Sequence, residues 1–281
     1  MQNCRHFRKR LFQAGFAQEV REAKKQGRTC VIWSVNGPPC PGHMIEAEEE
    51  LSWVQTWYNL GVRLMHLTYN RRNIVGDGCA EPANGGLSHF GRDLVKKMNE
   101  VGIIVDTSHS GKQTTLDAAH LSERPMVASH TACEAVFEHI RCKSDEELKA
   151  IADTGGLMGV YVLPNMLGPD ATLATVLDHL EHAAKVIGVD HISIGTDTTY
   201  SSSWPTGIKG FPDARFNSQW WGAWDPEVQA RYRTDEARSG SLAWTNWPLY
   251  TVGLVTRGYS DEDIEKIVGG NLLRVLEANE A

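Results

Sequence analysis

The chain has little of what a membrane or nucleic-acid protein needs. No apolar run approaches the roughly 18 residues that a bilayer crossing requires. The basic residues at the N-terminus have no continuous apolar segment behind them, so a secretory signal is not expected. Positive charge is in the minority: 28 Lys and Arg stand against 35 Asp and Glu, giving a formal charge of −7 and a pI near 5.9. Neither a basic face nor a basic tail is present for nucleic acid or an anionic membrane. The one basic cluster, RHFRKR at 5–10, reads as a solvated helix face. Six cysteines lack CxxC spacing and fall partly in expected strands and helices, so free thiols are expected rather than a disulfide framework. A cytoplasmic location follows.

What the chain does have is a series of short β-branched apolar runs, each ending in a polar or ionisable residue. In order they are TCVIWSVN (29–36), LMHLTYN (64–70), GIIVDTSH (102–109), PMVASH (125–130), LMGVYVLPN (157–165) and HISIGTD (191–197). Helix-like stretches separate them, the pattern of βα units around a parallel sheet. Strand carboxyl ends converge on one face of such folds, and chemistry is built there. Two histidines and an aspartate therefore point at a common mouth. At 281 residues and 41% hydrophobic content, one barrel-like α/β domain over 1–281 is expected.

The intervening segments support this reading. QEVREAKKQG (18–27) is a charged helix closed by glycine, and 45–60 is a helix with an acidic first turn. Residues 90–101, 116–120 and 176–187 carry helical patterns, and Ser144 with Glu147 forms a capping-box start. The closing helix, 261–276, should break near Gly269 and Gly270. From about 198 to 250 the texture changes, with six of the nine tryptophans among Gly, Pro, Ser and charge. This reads as an insertion that either lies over the mouth, as a lid or pocket wall, or forms a subunit interface. Six strands are counted, and nothing before Thr29 has the texture of another.

Several segments together resemble the membrane dipeptidase (renal dipeptidase) family of zinc metallopeptidases. They are GVRLMHLTYN, GLSHFGRDLVKKMNEVGIIVDTSHSG, ERPMVASHTA, DHLEHAAKVIGVDHISIGTD and EKIVGGNLLRVLE, in the family's order and spacing. The resemblance implies a TIM-barrel-like (β/α)8 metallohydrolase fold, here lacking the first two strands. It implies that His109 and His130 bind zinc, that Arg141 holds a substrate's terminal carboxylate, and that Asp197 lies at the metal centre. The family's His-x-Asp strand has no counterpart in this sequence. Its bridging glutamate corresponds to Asn36, and its substrate-contacting histidine to Tyr69. One zinc ion is therefore expected rather than two.

The chemistry of each residue type agrees with these roles. Imidazole is a good zinc ligand, and a catalytic zinc takes about three protein ligands plus water. A strand-end carboxylate such as Asp197 can ligate metal or take a proton. The alternative for each is ordinary: a satisfied polar strand end, or a loop cap. Arg141 offers a planar fork for a carboxylate, or is a surface arginine. Tyr69 can donate to an oxyanion, or simply pack. Asn36 can hydrogen-bond a substrate but cannot bridge two cations. Asp106 either orients an imidazole or caps backbone. His66 reads as structural, and His179, His182, His43 and His139 as surface or loop residues.

The expected activity is metal-dependent hydrolysis of a dipeptide or similar small amide by a metal-activated water, with His109, His130 and Asp197 holding the one ion. The alternative is an inactive barrel homologue that binds small molecules or another subunit. The missing strands could equally be encoded upstream of Met1. A six-stranded partial barrel leaves sheet edges unpaired, so a homodimer is a reasonable expectation.

Overall fold

The computed structural model describes residues 11–38, 46–168, 171–198, 242 and 247–280. Its main sheet has six strands: β3 (Trp33–Val35), β4 (Val62–His66), β5 (Ile104–Asp106), β6 (Val127–Thr131), β7 (Leu157–Val160) and β8 (Ile192–Ile194). All neighbours are parallel and lie in sequence order, β3 through β8. Each crossover thus returns beside the strand it left, the winding of a barrel wall. A doubly wound sheet would reverse order at a switch point. All six expected runs contribute a strand. Among the described residues no helix is long and apolar enough to cross a membrane.

The main strands are short and buried. Every residue of β4, β5 and β7 is buried, as expected for a parallel sheet covered on both faces. Period-two alternation divides their side chains. Met65, Val105, Ala128 and Met158 join the larger core with the helices, while Leu64, Ile104, Val127 and Leu157 form a second cluster with Ala17, Val275 and Leu276. His66 is two residues on from Leu64, and Asp106 two on from Ile104, so each polar residue extends the face of that second cluster toward the strand end.

The helices expected at 18–27, 45–60, 90–101, 116–120 and 176–187 are found as Ala17–Lys25, Ala47–Asn59, His89–Val101, Lys112–Leu121 and Leu173–Ile187. Ser144 caps Asp145–Asp153 in a reciprocal capping box with Glu147. The closing helix is interrupted as expected, by a π turn over Lys266–Gly270 with Gly269 outside helical geometry.

The sequence expectation fails at the N-terminal side. A strand precedes Thr29: β1 (Leu11–Gln13) pairs in parallel with β2 (Thr29–Val31) as a separate two-stranded sheet. The run TCVIWSVN is therefore two strands divided at Ile32. Three residues such as LFQ carry too little alternation to be recognised, and their ladder depends on a partner 18 residues away. Beyond β1, Ala17–Lys25 is tied to the last helix, Asn271–Ala278, and its exit. The Ala17 amide donates to Glu280 Oε1 at 2.6 Å, and Arg21 pairs with Glu277 at 2.8 Å. Arg124 Nη1 donates to the Ala278 carbonyl at 3.0 Å, and Asn279 Nδ2 to Pro125 O at 2.9 Å. The basic cluster at 5–10, His43 and nearly all of the tryptophan-rich segment lie outside the described residues.

Candidate metal centre

Three imidazoles meet at the carboxyl ends of β4, β5 and β6. Ring centroids are 4.9 Å apart for His109 and His130, 5.1 Å for His66 and His130, and 5.4 Å for His66 and His109. His109 Nε2 and His130 Nε2 are 2.9 Å apart. The structure thus joins the two histidines singled out by sequence and adds a third, His66, which sequence reasoning had set aside as structural.

Hydrogen bonds fix which nitrogens are bare. His109 Nδ1 lies 2.7 Å from Asn70 Oδ1. An amide oxygen only accepts, so Nδ1 carries the proton and Nε2 its lone pair. For His130 the argument runs through two serines. Ser108 Oγ has one proton and donates it to Asp106 Oδ1 at 2.7 Å. Its 3.2 Å contact with Ser129 Oγ must then use the Ser129 proton. With that proton committed, Ser129 Oγ accepts from His130 Nδ1, 2.8 Å away. His130 Nε2 is therefore bare as well. The two lone pairs face each other 2.9 Å apart, a repulsion that Arg141 Nη2, 3.4 Å from His109 Nε2, or a bound cation would relieve.

The electrostatics favour neutral rings at His109 and His130. Burial, reinforced by the Arg141 charge, pushes His130 down to about 3, and the same two causes hold His109 well below its ordinary value. Neutral imidazole is the form that ligates metal. Asp106 is fully buried. Burial opposes its charge, but His66, together with His130 and Ser129, holds its carboxyl below the ordinary range. The Asp106 carboxylate also accepts from the Ser108 and Ser129 amides at 3.0 and 3.2 Å. It thus contacts an imidazole and caps backbone at once, both of the roles considered for it. This donor set fits a divalent cation: the His109 and His130 imidazoles held neutral, and an ionised carboxylate beside them.

The other expected site residues are placed as follows. Asp197 stands three residues beyond β8 at φ 53°, a left-handed conformation that a non-glycine residue rarely adopts. Its carboxyl is raised by desolvation, against the lowering fields of Arg141 and His66. Its side chain is accessible, and it is not part of the His66, Asp106 and His130 cluster of potential ligands. The Tyr69 ring stacks on His109 with centroids 4.1 Å apart. Arg141 is buried, not a surface residue. Its guanidinium donates to the carbonyls of Ser108 and His130, and Nη2 lies 3.4 Å from His109 Nε2. Asn36 is exposed just past the end of β3, and no hydrogen bond among the described residues ties it to the imidazoles.

His179 corrects another expectation. It is buried on the helix Leu173–Ile187, where Nδ1 accepts from the Cys133 amide at 3.1 Å. His182 pairs with Asp145 at 2.8 Å. A cavity of about 190 Å³ is lined by Cys79, Ser110, Lys112, Glu134, Cys142 and Lys143 among others, and by none of His66, His109 and His130.

Comparison with known proteins places the chain in a family. Dipeptidase tcpJ of Claviceps purpurea is 26% identical over 272 residues, covering 95% of this chain and 55% of that protein. Dipeptidase verJ of Clonostachys rogersoniana is 28% identical over 274 residues, covering 96% and 61%. The chain thus spans roughly half to three-fifths of the length of these curated relatives. A crystal structure of an amidohydrolase from Pseudomonas aeruginosa superposes with a TM-score of 0.75 at 31% identity, covering 96% of this chain and 79% of that one. The profile of the membrane dipeptidases matches residues 1–215, and with that match the chain belongs to the membrane dipeptidase family, peptidase family M19.

Proposed function

We propose that the chain is a metal-dependent hydrolase that cleaves a dipeptide or a similarly small amide, with one zinc ion at the imidazole cluster. The observation that carries this reading is the pair of His109 and His130 Nε2 lone pairs, 2.9 Å apart on rings that burial and Arg141 hold neutral. A bound divalent cation would supply Lewis acidity there.

Every other part is a role for the chain's own residues. The Asp197 carboxylate takes the proton of the water that attacks the scissile carbonyl, and returns it to the departing amine. Its raised proton affinity suits that exchange. The buried Arg141 charge attracts the substrate's terminal carboxylate toward the imidazoles. The Tyr69 hydroxyl donates to the oxyanion that forms on the carbonyl oxygen. Asn36, at the rim, offers its amide to the substrate. The alternative of an inactive binding module gains no support from relatives named as dipeptidases.

The test is hydrolysis of a dipeptide panel by the zinc-supplemented protein, followed by chromatography of the released amino acids. Hydrolysis abolished by a chelator and restored by zinc is expected. Zinc-loaded protein that binds dipeptides and releases no amino acid would refute the activity.

A further inference from the structure

We propose that the cation in this chain is gripped by three imidazoles and one carboxylate, those of His66, His109, His130 and Asp106, with Asp197 left free for proton transfer. This rests on the metal-centre reading above and specifies its ligands.

Three observations carry it. The first is proximity: one donor atom each from His66, Asp106 and His130 lie within 4.8 Å of one another, and His109 Nε2 adjoins the His130 ring. Imidazole nitrogens about 2.05 Å from a tetrahedral zinc would put ring centres roughly 5.2 Å apart. The three observed separations, 4.9, 5.1 and 5.4 Å, bracket that value.

The second is unmet bonding. His66 and Asp106 are almost completely buried. His66 Nε2 lies 2.8 Å from Asp106 Oδ2, yet that oxygen has no aligned hydrogen-bond donor, and His66 Nδ1 has no partner. A structural ion pair of this kind would normally line up its N–H with the carboxylate and satisfy the second nitrogen, because buried polar groups are paired almost without exception. A cation bound by both the imidazole nitrogen and the carboxylate oxygen would account for their close but unaligned approach.

The third is placement. His66 and Asp106 are directly paired across the β4–β5 ladder. Below them on the same face, Leu64 and Ile104 belong to an apolar cluster. The His66 ring and Asp106 Oδ2 therefore lie on the strand-end side of that apolar cluster, toward His109 and His130. Three imidazoles with a carboxylate form a set that favours zinc over harder cations such as magnesium.

The experiment reads coordination, not turnover. X-ray absorption on the zinc-loaded protein should show outer-shell scattering from three imidazoles, and a count of two would overturn the proposal without any variant being made. In a competition titration with a chromophoric chelator, His66→Gln should weaken zinc binding at least tenfold and alter the visible spectrum of the cobalt(II)-substituted protein. An unchanged affinity and spectrum in His66→Gln, with zinc lost in His109→Ala and His130→Ala, would overturn this ligand set while leaving the metal-centre reading intact. A wild-type protein that binds no zinc would remove both.

Discussion

Replacing Glu147 with Gln should cost the protein about 3 kcal/mol, because it strands a buried ammonium. Lys143 Nζ sits 3.0 Å from Glu147 Oε1, with side chains only 3% and 4% accessible. The ammonium also donates to the Ser110 carbonyl at 2.7 Å and to Thr115 Oγ1 at 2.8 Å. The second carboxylate oxygen accepts from Ser144 N and Oγ, both at 2.9 Å. Glutamine keeps the shape but removes the charge, so Lys143 retains two neutral acceptors and no counter-ion. Breaking one partner of a buried pair typically costs about 3–5 kcal/mol, and the surviving hydrogen bonds place this case at the low end. In a domain of this size that is a melting-temperature drop of roughly 6–12 °C.

Acid provides the second readout. Burial opposes the Glu147 charge, but Lys143 and Ser144 outweigh it and hold the carboxyl below its ordinary value of 4.5. A depressed folded value means that the contribution is fully present above about pH 4.5 and lost as pH falls through the folded value. Circular-dichroism melts at pH 7 and at steps below pH 4.5 should therefore show wild type and Glu147→Gln converging in acid. Equal melting temperatures at pH 7, or a gap that widens in acid, would refute the argument. The substitution should also loosen the centre, since Lys143 pins Ser110, the residue after His109.

Asn70→Ala removes the acceptor that fixes the His109 tautomer, and should weaken zinc binding about 10–100-fold by chelator competition; an unchanged Kd would show that the 2.7 Å contact is incidental. Asp197→Asn should lower kcat about 10²–10⁴-fold. In the wild type the rate should fall with acid through a value above the ordinary carboxylate 3.8, and an acid limb at or below 3.8 would remove Asp197 from proton transfer. Gly195→Ala should destabilise by about 3 kcal/mol, because a methyl there would overlap the Ser129 carbonyl oxygen. Full stability in a melt would mean that β6 and β8 can separate at little cost.

The parallel sheet was legible because buried strands are continuous apolar runs, and their polar ends marked His109, His130 and Asp197 for attention. His66 was not, since a histidine inside an apolar run looks like a tolerated exception. Only its register against Asp106 shows otherwise, and register is a property of two segments 40 residues apart in the chain. His179 could have been found: it shares the helical stripe of Val176, Leu180 and Ala183, all buried. The burial of Arg141 was out of reach, because its partners are backbone carbonyls, which leave no trace in residue type. The short β1–β2 ribbon was equally hidden, its stability coming from pairing rather than composition.

The bonds that join helix Ala17–Lys25 to Glu277 and Glu280 have a temporal consequence. The amide of Ala17 waits for an acceptor 263 positions later, an interval of roughly 13–53 s at ordinary ribosomal speeds. Throughout that time the apolar side of the early helix is without its cover from Val275 and Leu276, and is available to a chaperone. Strands β4 to β7 can pair before this latch closes. The nascent chain can therefore assemble the centre first and seal its underside last.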